Sequence, residues 1–72
     1  MENEILIFST SIARRLDIKR VGKVLNSCCQ IRKWNVDFED WEKILRIECN
    51  GINAEKIIAL LKEIDIQATE LQ

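Results

Sequence analysis

The feature that most constrains this chain is how the spacing of its apolar residues changes along its length. The pattern passes from strand to helix and back twice. Ile5-Leu6-Ile7-Phe8 is a continuous apolar run that ends in Ser9-Thr10-Ser11. Apolar on both sides, it predicts a central strand. Ile18, Val21, Leu25 and Cys28, with Val24 beside them, then form one helical stripe, and Arg15, Lys19, Arg20 and Lys23 take the other face. Asp17 is placed to cap this helix, with a start near Ser11 as the alternative. Gly22 inside the pattern costs roughly 1 kcal/mol against alanine and marks close packing on the sheet.

From Ile31 the spacing alternates. Trp34, Val36 and Phe38 face one way and Lys33, Asn35 and Asp37 the other, which is a half-buried strand. Glu39-Asp40-Trp41-Glu42 reads as a hairpin connection. Leu45, Ile47 and Cys49 alternate with Ile44, Arg46 and Glu48 in the next strand, and Asn50-Gly51 breaks it. Asn53 is a good N-cap for a helix from Ala54 to Ile64, whose stripe is Ile57, Ile58, Leu61 and Ile64. Ile66 to Leu71 fits a closing edge strand. The order is therefore βαββαβ. Right-handed crossovers fold it into an α+β domain, a four-stranded antiparallel sheet with two helices on one face.

Composition narrows the function. A chain of 72 residues is read as a single domain spanning 1–72, with no proline and two glycines to spend on loops. A net charge of −1 gives no long-range attraction for nucleic acid or an acidic membrane. No apolar run is long enough to cross a bilayer. The three cysteines, two of them adjacent, are not a disulfide framework, so the expected setting is the reducing cytoplasm. There is no histidine to act as general base, and no glycine-rich phosphate loop. We expect no catalysis and no cofactor. An RNA-binding module of the same strand order needs aromatic residues on its central strands, where this chain offers Ile44, Arg46 and Glu48.

Three segments carry a family resemblance. Val21-Gly22-Lys23-Val24-Leu25 is similar to the first helix of heavy-metal-associated domains, the copper and mercury chaperones and the N-terminal modules of metal-exporting ATPases. Glu55-Lys56-Ile57-Ile58-Ala59-Leu60-Leu61-Lys62-Glu63-Ile64-Asp65-Ile66 resembles the last third of that family, with Asp65 where glycine is usual and Ile66 where an aromatic is usual. Trp34-Asn35-Val36-Asp37-Phe38-Glu39-Asp40 resembles a run from a branch without the metal motif. The resemblance covers nearly the whole chain and implies the ferredoxin-like βαββαβ fold.

The metal motif of that family, M-x-C-x-x-C, opens the first helix. Counted back from Val21, its methionine position falls on Ile12 and its cysteine positions on Arg14 and Asp17. Neither a guanidinium nor a carboxylate replaces a thiolate toward a soft ion such as Cu(I). The resemblance therefore implies the fold and not metal binding. Cys28, Cys29 and Cys49 offer an alternative copper or zinc site at the opposite pole, against a reading in which they are small core residues. The leading expectation is a protein-interaction or regulatory module, with a protein partner or a second copy of itself. Docking is expected through Arg14, Arg15 and Trp41, because tryptophan is enriched at binding hot spots. The competing role for Trp41 is a lid folded over the end of the core.

Overall fold

A computed structural model describes residues 4–71. Its elements follow the expected order: β1 (Glu4–Thr10), α1 (Arg15–Asn26), β2 (Ile31–Asp37), β3 (Ile44–Cys49), α2 (Ala54–Lys62) and β4 (Ala68–Glu70). The sheet is antiparallel, in the order β2-β3-β1-β4, so the apolar run of β1 is central, as its composition predicts. Register decides which face each side chain joins. Phe8 stands opposite Leu45, and Leu6 opposite Ile47, on the inner face. Ile5 opposite Glu48 and Ile7 opposite Arg46 look outward. Both helices cover the inner face, α1 over β2 and α2 over β4. Phe8, Leu45, Ile47 and Cys49 are fully buried there with Val21 and Leu25 of α1 and Ile57 and Leu61 of α2.

Gly22 is where α1 meets the sheet. A Cβ built on it would lie 3.1 Å from Cζ2 of Trp34. The indole N–H of Trp34 donates to Oδ1 of Asn26, one turn further along the helix, at 3.0 Å.

Three boundaries and the regularity of one strand differ from the expectation, the first boundary being the end of α2, at Lys62 instead of Ile64. α1 starts at Arg15 with Arg14 in extended conformation before it, so Asp17 is the third helical residue and not the N-cap. β4 is short because the turn after α2 takes its first residues. The N–H of Ile66 bonds Leu61 O at 3.0 Å and that of Asp65 bonds Lys62 O at 3.0 Å, a Schellman-type closure with Asp65 at φ +63°. Ile66 is thereby turned into the core. In β2 a bulge at Arg32 shifts the pairing with β3, and regular register resumes from Lys33 to Asp37. The N-cap of α2 is as expected: Asn53 Oδ1 accepts the N–H of Lys56 at 2.9 Å.

Candidate functional site

The β1–α1 loop, the β2–β3 hairpin and the α2–β4 turn meet at one pole. Thr10 donates its hydroxyl to Lys43 O at 2.7 Å and its N–H to Glu42 O at 3.1 Å. Ser11 N–H bonds Gln67 O at 2.9 Å, and Gln67 N–H returns to Ser11 Oγ at 2.9 Å.

The hairpin tip is built by its own side chains. Asp40 Oδ1 accepts the N–H of Glu42 at 2.8 Å, and Asp40 O accepts that of Lys43 at 2.9 Å. Lys43, at φ +50°, donates Nζ to Phe38 O at 3.1 Å and lies 5.1 Å from the centre of the Phe38 ring. This ordered turn holds Trp41 away from the core, with 88% of its surface exposed. Trp41 is therefore no lid. Leu16, in the first turn of α1, is 56% exposed at the same end of the helix. Residue spacing alone does not mark it out. Its signal was an apolar residue set off the Ile18-Val21-Leu25 stripe, on the cationic face.

At the start of α1 the chemistry is that of oxygen and nitrogen. Ile12 is buried and anchors the loop, and Arg14 is exposed. Asp17 is the one buried charged residue among those described. Its Oδ2 accepts the backbone N–H of Ala13 at 3.0 Å and of Arg14 at 3.1 Å, the groups a helix start leaves without partners. The bond from Ala13 holds this carboxyl below its ordinary pKa. Burial opposes that shift, while the Arg14 N–H and the charges of Arg14 and Arg20 add to it. The positive end of the helix already faces a resident anion.

At the other pole the cysteines are graded in exposure. Cys29 is exposed, Cys28 half-buried, and Cys49 fully buried, with its Sγ 3.9 Å from Ile52 O. Burial pushes the Cys49 thiol up, and Glu4 and Cys28 push it further, so it stays protonated near neutral pH. Among the described residues no three histidine, cysteine or acidic side chains gather where they could hold a metal ion.

No family model matches the chain, and no curated protein does. Solved structures do. The apo heavy-metal-associated domain of a copper chaperone for superoxide dismutase superposes with a TM-score of 0.84 at 17% identity, over 99% of this chain and 69% of that one. This is the heavy-metal-associated fold. The yeast copper transporter domain CCC2A, solved in apo and Cu(I)-loaded states, gives 0.80 at 10% identity over 94% of each chain. The N-terminal domain of ZntA in its Zn(II) form gives 0.79 at 10% identity, over 94% of this chain and 92% of that one. At such identities the likeness is one of fold. Within this heavy-metal-associated fold, the loop ahead of α1 carries Ile12 and Arg14, the first turn of α1 carries Asp17, and neither contains sulfur. Among the described residues no helix is long and apolar enough to cross a membrane.

Proposed function

We propose that residues 1–72 form one heavy-metal-associated-like domain that acts in the cytoplasm by docking a protein partner, without catalysis, cofactor or soft-metal transfer. The docking surface is the pole that carries Arg14, Arg15 and Trp41. The observation that carries this reading is the presentation of Trp41. A tryptophan 88% exposed, on a turn pinned to the neighbouring loop by Thr10, is held in place for a partner to bury. A turn whose backbone is already ordered loses little further freedom on binding. Leu16 adds a second apolar contact, and Arg14 and Arg15 frame it with charge. Asp17 supports the absence of a soft-metal site, because its carboxylate is engaged by two backbone amides where the resemblance puts a thiolate. Copper or zinc handling by Cys28, Cys29 and Cys49 draws no such support, since the Cys49 thiol is buried and held protonated.

Affinity capture from the source cells with wild type and a Trp41→Ala, Arg14→Glu variant tests the reading. A partner lost from the variant is the expected result, and identical partner sets would overturn it. Titration of the reduced protein with Cu(I) and Zn²⁺ tests the metal half. Tight stoichiometric uptake that Cys28→Ser abolishes would reinstate the metal reading.

A further inference from the structure

β2 is the edge strand nearest α1, and its outer rim has a definite polarity. The N–H of Asn50 bonds Gln30 O across the gap between β3 and β2 at 2.8 Å. Backbone groups alternate sides along a strand. Glu48, Arg46 and Ile44 therefore also turn toward β2, where they meet Lys33, Asn35 and Asp37. That leaves the N–H and C=O groups of Trp34 and Val36 turned to the open edge.

The bulge at Arg32 ends the regular part of this strand, so the straight segment is Lys33–Asp37, with Asn35 at its centre. Laid antiparallel on its own copy about Asn35, the segment matches itself in three ways. Trp34 falls opposite Val36 of the other copy, and these are the residues whose backbone groups face outward. Each such pair exchanges an N–H and a C=O in both directions, and the two-fold axis makes two pairs. On the inner side, half-buried Trp34 and Val36 become apolar cross-strand neighbours. On the outer side, exposed Lys33 stands opposite Asp37, again twice. A shift of the axis by one residue to Trp34 sets Lys33 against Asn35 and loses both ion pairs. A shift the other way, to Val36, sets Asn35 against Asp37 and carries the pairing past the end of the strand.

We infer that β2 is a self-complementary edge through which two copies of this chain join into a continuous sheet, centred on Asn35 and fixed in register by Lys33 against Asp37. The flank of α1 that then approaches its copy carries Ile18 and Gly22, where the Trp34 indole already lies. Lys19 and Lys23 also line this flank. Both are exposed, and their stems are long enough to keep the ammonium groups in water. The contact is small, so the dimer is a weak one, filled only at high protein concentration.

Two measurements test this without relying on partner capture. By sedimentation equilibrium the weight-average mass should rise from 8.4 kDa toward twice that value as the concentration approaches about 1 mM. Lys33→Asp should weaken association about tenfold or more, and the Lys33→Asp, Asp37→Lys double variant should restore it. Lys33 also faces Glu48 of its own chain, so Lys33→Asp should lower the melting point slightly, whereas Asp37→Lys alone, whose own-chain neighbour is Ile44, should weaken association with the melting curve unchanged. In a Cys29→Ser background, Asn35→Cys should form a disulfide-linked dimer with oxidised glutathione, because opposed residues of this type sit about 4.5 Å apart at Cα. Lys33→Cys should not, since the two copies of that residue lie about 13 Å apart. A protein that stays monomeric through about 1 mM, or a dimer that Asn35→Cys does not trap, would overturn the inference.

Discussion

The indole of Trp34 lies so close to the backbone of Gly22 that a methyl group there would come within 3.1 Å of the ring. Two effects compete at this position. Alanine gains about 1 kcal/mol of helix propensity over glycine. Against that, the ring must give way by a few tenths of an ångström, which a half-buried side chain on an edge strand can do. Gly22→Ala is therefore expected to change stability by less than about 1 kcal/mol. A branched side chain has no such escape, and Gly22→Val should cost about 1–3 kcal/mol through overpacking. Urea denaturation of the two variants gives the comparison.

Asp17 links stability to acid. Its folded-state pKa lies below the ordinary carboxylate value, so its contribution is present above that value and is lost as pH falls through the lowered one. Asp17→Asn should be less stable than wild type at neutral pH. The gap should narrow as the pH drops below the carboxylate range. Melting midpoints across an acid series will show the two curves converging, and parallel curves would contradict the assigned role.

Asp65 sits at φ +63°, where an L side chain crowds its own backbone. Glycine has no such strain. Asp65→Gly should stabilise the domain by about 0.5–1 kcal/mol, and Asp65→Val should destabilise it by about 1 kcal/mol or more. The same urea experiment reads both.

Trp41→Ala should leave stability within about 0.5 kcal/mol of wild type, since the side chain touches little of the fold. Its removal should take away the more solvent-quenched part of the tryptophan emission and leave the Trp34 signal. Partner retention should fall while the melting curve stays put, which separates docking from folding.

Much of this architecture could be read from residue spacing, because burial on one face enforces a period. Phe8, Leu45, Ile47 and Leu61 are where alternation and the helical stripe put them. The errors fall where local hydrogen bonding, not burial, sets the outcome. Asp17 looked like an N-cap because carboxylates satisfy helix starts. It does so from inside the first turn, by reaching back, and spacing does not distinguish the two positions. Spacing starts β4 at Ile66 because that residue is apolar in either setting, and only the left-handed turn at Asp65 assigns it to the helix closure. The role of Trp41 depended on how the turn is built. The bonds from Asp40 that lift it into solvent span two and three residues, and they leave no periodic trace.

The reciprocal bonds between Ser11 and Gln67 join residues 56 apart in the chain. They close β1, the first described strand in chain order, against β4, the last. During synthesis β1 therefore waits with both flanks bare until β3 and then β4 leave the ribosome. Such late-arriving partners slow folding, because a long loop must be closed before its contacts repay the lost freedom. A nascent chain cut short before Gln67 would lack the reciprocal tie at Ser11 and leave the flank of Phe8 open to whatever strand comes first.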